Sequence, residues 1–246
     1  MKNKLTIGIS SLAIAATASI AVAEVNQPQE IIMRPMTTPA SQITVGGSLG
    51  ILIAPDPIGT AMGLALGGSY GVSEKIEVGA SYGFSLKEFE AKGNLSFEGA
   101  FNIMEGNLGV AANLTAGYSI VGEAINPLGL GARVRFRLND KLAIQSPGSQ
   151  LQIALDGDPK PITLGLPVGV AYQASPQIHA FLYTELANLS ISNSSTIIFG
   201  ADYVPVTVGA FFSPSNALDV GASIGWFDLV DASDFINISL VGRLHM

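Results

Sequence analysis

Residues 128–140 read LGLGARVRFRLND, with arginine at every second place from 133 to 137. Successive side chains of a β-strand point to opposite faces. One face of this stretch therefore carries Leu128, Leu130, Ala132, Val134, Phe136 and Leu138, and the other carries Arg133, Arg135 and Arg137. The fold has to give the first face an apolar surrounding and the second face water or counter-charges.

Milder forms of the same alternation fill the chain. QITVGGSLGILI (42–53) sets Ile43, Val45, Leu49, Ile51 and Ile53 against Thr44, Gly46, Ser48 and Gly50. KIEVGASYGFSLK (75–87) sets Ile76, Val78, Ala80, Tyr82, Phe84 and Leu86 against Glu77, Gly79, Ser81, Gly83 and Ser85, and NLGVAANLTAGYSI (107–120) repeats the scheme. Short turns fall at 72–75, 104–107, 138–140, 174–177 and 213–216, and longer connections at 54–60, 87–93, 121–127, 156–161, 188–195 and 228–234. Strict succession of short turns and longer loops predicts twelve strands with both ends on the short-turn side.

Composition says what surrounds the apolar faces. Of 246 residues only 13% are charged, about half the usual share, and the mean hydropathy is +0.43. Beyond residue 23 no run of eighteen apolar residues could form a helical span. Helices and closed barrels are the structures that satisfy every backbone polar group in lipid. The expectation is an all-β transmembrane antiparallel up-and-down barrel over residues 42–246.

The first residues, MKNKLTIGISSLAIAATASIAVAEVNQ, have the basic, apolar, then A-x-A order of a secretory signal, with cleavage expected after Ala23. Residues 24–41, EVNQPQEIIMRPMTTPAS, lack periodicity and hold Pro28, Pro35 and Pro39. They read as an extended periplasmic tail, with folding into the lumen as the alternative. The chain has no cysteine, which removes disulfides and thiol chemistry. Its net charge of −7, more negative still without Lys2 and Lys4, makes nucleic acid an unexpected partner.

Two places break the alternation. Outward parity changes between Ile144 and Leu151, around Ser146-Pro147-Gly148, and again at Tyr203-Val204-Pro205. An inserted residue flips all later side chains, so a bulge or kink is expected at each. If either were a true turn, the count would become ten or fourteen. Tyr70, Phe101, Phe136, Tyr172 and Phe212 have outward parity near the short turns, and Phe84, Tyr118 and Trp226 near the loops, where interfacial girdles belong.

The final stretch, DFINISLVGRLHM, alternates Ile236, Ile238, Leu240, Gly242, Leu244 and Met246 with Asn237, Ser239, Val241, Arg243 and His245. Here the sequence resembles the Gram-negative outer-membrane β-barrel proteins, porins among them, whose closing strand carries an alternating signal read by the barrel-assembly machinery. The resemblance is one of pattern, and it departs at Met246, where that family usually ends in Phe or Trp. It implies a location in the outer membrane, contact with its lipid, and handling by that machinery. No subfamily follows.

Within a barrel the arginines must face the lumen, because one arginine on the lipid face costs roughly 2–4 kcal/mol near the midplane. Arg137 is expected near the periplasmic mouth and Arg133 roughly 10–12 Å further in, with Arg243 of the closing strand at similar low depth. Inward parity supplies Glu77, Glu98, Glu185 and Asp219 as carboxylates across the lumen. Two functions fit. In a porin-like channel for small polar or ionic solutes, the ladder and the carboxylates would sort charge. In a closed structural or adhesive barrel, they would brace the lumen without transport. Inward glycines, including Gly79, Gly83, Gly169, Gly209 and Gly221, favour open space.

No enzyme activity is expected. His179 and His245, the two histidines, both fall at the periplasmic end and read as satisfied lumen groups. No cofactor or metal site is expected either: Asp228, Asp231 and Asp234 lack the glycine and glutamate of a calcium loop. A monomer is the default state.

Overall fold

The computed structural model describes residues 25–56, 59–86, 93–120, 122–125, 127–148, 150–155, 160–191, 195–198, 203–230 and 232–246. The expected signal, residues 1–23, lies outside them, as do parts of all six longer connections, including Asp231.

The first five strands are Ile43–Ile53, Ala61–Ser73, Ile76–Ser85, Gly93–Met104 and Leu108–Ser119. The sixth is Leu128–Arg137, preceded by a short piece, Ala124–Ile125, laid against the end of the fifth. The seventh runs in two pieces, Leu142–Pro147 and Leu151–Ile153, followed by the eighth, Ile162–Gln173, and the ninth, Ile178–Ser190. The tenth also has two pieces, Ser195–Ile198 and Val206–Ser215, and the eleventh and twelfth are Leu218–Asp228 and Ala232–His245. Each strand pairs antiparallel with its sequence neighbours, and the first closes the ring against the twelfth, in register from Thr44↔His245 to Ile53↔Ile236. Closure leaves no free edge. The twelve-stranded barrel expected from the alternation is the fold.

Burial is inverted relative to a soluble protein. Among the described residues the buried apolar positions are Val25, Ile32 and four alanines, whereas the buried polar ones include Arg34, Glu77, Asn113, Gln173, His179, Asp219 and His245. Leu66, Phe97, Phe101, Phe136, Tyr172 and Phe212 are exposed on the outside. Lipid supplies the apolar contact that a core supplies elsewhere. The five aromatics expected near the short turns are all exposed, as a girdle at the headgroup level requires.

Both parity breaks lie within strands. Leu130 pairs with Leu151 and Arg133 with Pro147, so the seventh strand advances four residues while the sixth advances three. Gly148 turns this bulge at φ +98°, a conformation that favours glycine. The gap in the ladder is filled by a side chain. Gln150 accepts from the Ala132 N–H through Oε1 at 2.7 Å and donates from Nε2 to the Ala132 carbonyl at 2.7 Å. In the tenth strand, Ile198 pairs with Ala187 and Thr207 with Tyr183, so nine residues of advance face four of the ninth strand. That odd surplus of five flips the parity seen around Tyr203-Val204-Pro205.

The extended tail expected for residues 24–41 is not what the structure has. Residues 25–41 fold across the lumen at the short-turn end, with a single 3₁₀ turn at Ile31–Met33. The physical reason is hydrogen-bonding supply: the segment has no ladder of its own, and its backbone is met by Glu77 of the third strand, Arg133 and Arg135 of the sixth and Gln173 of the eighth, with Glu105 and Asn216 from two short turns. Ala40 makes a parallel bridge to Gly71, and the approach demands that glycine, since a Cβ there would stand 1.9 Å from the Pro39 carbonyl oxygen.

Candidate functional site

The lumen is read most directly from the sixth strand. Its bulge-free register places Arg133, Arg135 and Arg137 inward at successive levels, and each meets the N-terminal segment. Arg133 pairs with Glu98 at 2.6 Å and Glu77 at 3.0 Å, and also donates to the Met36 carbonyl at 3.2 Å. Arg135 donates to the Ile31 carbonyl at 3.3 Å and to the Arg34 carbonyl. Arg137 donates to the Gly106 carbonyl at 2.8 Å and lies 2.9 Å from the Met33 sulfur. Arg135 thus supplies donors to carbonyls at the two ends of the 3₁₀ turn, Arg137 holds its Met33 side chain, and Arg133 holds the chain just beyond it.

The carboxylates divide by level. Glu77, on the third strand, accepts from Thr38 Oγ1 at 2.7 Å and from the Thr38 N–H as well as from Arg133. Asp219, on the eleventh, is fully buried and accepts from both terminal nitrogens of Arg34 at 2.6 and 2.9 Å. Ser213 Oγ donates to it at 2.6 Å, and His245 Nε2 lies 2.9 Å away. The other ring nitrogen of His245 is 2.9 Å from Thr44 Oγ1. A fork-to-fork guanidinium–carboxylate contact with two further donors is a strong way to hold a buried charge. Glu185 stands apart from the ladder: it accepts from Tyr203 Oη at 2.6 Å and from Asn188 at 3.3 Å.

Arg243 has no carboxylate. Among the described residues it forms no ion pair, and its guanidinium carbon lies 4.8 Å from the centre of the Phe211 ring. His179, as a lumen histidine, sits 3.2 Å from Gln173 Oε1, which also accepts from the Ile32 N–H.

Part of this assembly had no clear signal in the chain. Arg34, Gln27, Gln29 and Met36 lie in a segment without periodicity, yet they contact Asp219, Asn216, Ser213 and Glu105. A usable hint was the surplus of inward polar groups at one end of neighbouring strands: Gln173, Ser213, Asp219 and His245 share the short-turn level and needed partners.

The inward glycines behave in two ways. Tyr183, Phe181 and Phe211 lie directly across from Gly169, Gly209 and Gly221 in the ladder. A Cβ at those glycines would come within 2.3–2.4 Å of a ring atom. On this side of the barrel glycine makes room for a ring lying flat on the wall, so the expectation of empty space fails there. Along the first four strands the inward residues other than Glu77 and Glu98 are mostly small, and a cavity of about 780 Å³ remains between them and the segment, reached by Ser48, Ser81, Ser96, Glu98, Arg133 and Arg243.

No family model matches the chain, and no curated protein matches its sequence. Solved structures with the same fold include the NanC porin, with a TM-score of 0.58 and 10% identity over 82% of this chain and 99% of that one. The KdgM porin matches with a TM-score of 0.55 and 8% identity over 81% and 98% of the two chains. An outer membrane channel from Pseudomonas putida F1 matches with 0.52 and 11% identity over 85% and 96%. At such identities the likeness is one of fold.

Proposed function

We propose that the protein is an outer-membrane channel for small polar or ionic solutes, narrowed at its periplasmic end by its own residues 25–41. In this reading the chain is exported by the signal at residues 1–23 and inserted by the barrel-assembly machinery. The lumen arginines and Glu77, Glu98 and Asp219 then set the field that a solute meets. The observation that carries it is the cavity of about 780 Å³ beside the segment, walled by serines and glycines on one side and by Arg133, Glu98 and Arg243 on another. The similarly folded KdgM porin has been solved in complex with disordered oligogalacturonate, which supports solute entry into a barrel of this type.

The test is single-channel current in planar bilayers, for the wild type and for the Arg133→Ala/Arg135→Ala/Arg137→Ala variant. The variant removes three cations and most anchors of the 3₁₀ turn, so the expected result is a larger conductance with preference moved toward cations. A folded protein that passes no current would refute the channel. The second reading, a closed structural barrel, is favoured by the Arg133–Glu77–Glu98 and Arg34–Asp219 braces across the lumen. It requires that a chain lacking residues 24–41 also pass no current.

A further inference from the structure

Arg243 and Asp219 are direct partners in the ladder of the eleventh and twelfth strands. Neighbouring opposite charges at such a position ordinarily pair. Here the carboxylate is held by Arg34, Ser213 and His245, so the N-terminal segment has taken the partner of Arg243. The displaced guanidinium lies over Phe211 and is open to the lumen.

A second cavity, of about 330 Å³, begins at Arg243 and continues between Ile31 of the segment and the aromatic wall. Its lining contains no carboxylate. Phe181 stands 5.2 Å from Tyr183 and 5.9 Å from Phe211, centre to centre, with planes inclined by 50° and 33°, so the three rings form one contiguous, faceted wall. Tyr183 Oη is fixed by Gln145 Nε2 at 2.5 Å, and each ring is seated on the glycine opposite, which holds the rings against the wall. Arg243 also lines the larger cavity and stands where the two meet.

We propose that this second cavity is a binding subsite for a small ring-bearing carboxylate, of which benzoate is the simplest probe. The guanidinium of Arg243 offers the paired N–H donors that match a carboxylate. The rings of Phe181, Tyr183 and Phe211 offer apolar faces and edges against which the body of the same molecule packs. The volume is at the small end of what ligand sites occupy, which limits the ligand to about one ring. An inorganic anion would use the arginine and leave the rings in water. A cationic ligand would meet no counter-charge.

The biological purpose of the subsite rests on the channel reading, but its occupancy does not, so it is measured at equilibrium. Calorimetric titration of the full-length refolded protein in detergent micelles, with heat-dependent gel mobility as the check of folding, should show saturable binding of benzoate. Benzyl alcohol, with the ring and no charge, and acetate, with the charge and no ring, should each bind at least tenfold more weakly. Arg243→Gln should weaken benzoate at least tenfold. Arg34→Gln should weaken it severalfold, because Arg243 regains Asp219.

Equal affinity for benzoate in R243Q and wild type, or no saturable binding to folded wild type, overturns the proposal. If R243Q does not fold, Phe211→Leu and Phe181→Leu decide in its place: both must weaken benzoate more than acetate, and an equal effect on the two overturns it. Benzoate binding without single-channel current would leave the subsite and remove the channel. Current without benzoate binding would do the reverse.

Discussion

Replacing Arg34 by glutamine isolates what holds the N-terminal segment in the lumen. Its guanidinium makes two hydrogen bonds to a carboxylate with no solvent exposure and two more to the carbonyls of Pro28 and Gln29. Breaking a buried ion pair by removing one partner costs about 3–5 kcal/mol, because the other charge is left behind. Arg243 lies in register with Asp219 and can move onto it, which places the expected cost near the low end, about 3 kcal/mol. The cost falls on docking of the segment, since the barrel ladder does not involve Arg34. Hydrogen exchange at the amides of Ile32, Met36 and Thr38 reads it directly, because those N–H groups donate to Gln173, Glu105 and Glu77 side chains. At tenfold per 1.4 kcal/mol, R34Q should speed their exchange on the order of 100-fold while strand amides stay protected. In an R243Q background the acceleration should be larger, because no cation remains to replace Arg34. An acceleration below tenfold, or the same acceleration in both backgrounds, would refute this account.

Three further outcomes follow from other parts of the molecule. Gly71→Val should expel the segment and leave the barrel intact, because its Cβ would occupy the place of the Pro39 carbonyl; limited cleavage after Glu30 by a glutamate-specific protease should become fast while the folded gel band persists. Gln150→Leu should lower barrel stability by about 2–3 kcal/mol, since it leaves the N–H and C=O of Ala132 unpaired at the bulge, read as an earlier midpoint in denaturant. Val134→Arg should cost roughly 2–4 kcal/mol in a bilayer, whereas Arg135→Val, one place along, should cost the barrel itself far less and loosen the segment. Equal barrel destabilisation by those last two changes would contradict the assignment of faces.

The barrel was legible because its physics is repetitive. Alternation along each strand, turn residues of two lengths and the low charge content all point the same way, and even the bulge at Ser146-Pro147-Gly148 announces itself as a parity change. That the three arginines share one face of the sixth strand was legible for the same reason, since residues 133, 135 and 137 alternate with apolar ones. What they touch was not. Arg135 binds the carbonyls of Ile31 and Arg34 and Arg133 that of Met36, groups which every residue carries, so nothing in the identity of those residues marks them as the partners. Glu185 had the right parity, but Tyr203 reaches it from beside a parity break, where counting along the strand fails. Inward glycine could also mean space or a seat for a ring, and only the residue opposite, such as Phe211 for Gly221, distinguishes the two.

Closure of the ring has a kinetic side. Hairpins between consecutive strands join residues close in sequence and can form early, whereas Thr44 finds His245 only across the whole length of the sheet. Long-range pairings of this kind carry the largest loop-closure entropy and form late. The N-terminal segment is tied to both sides of that seam: Thr38 contacts Ser69 of the second strand, and Arg34 contacts Asp219 of the eleventh. Its docking site does not exist until the seam has shut, so protection of the Ile32 amide in a pulse-labelling experiment would time the last step of folding.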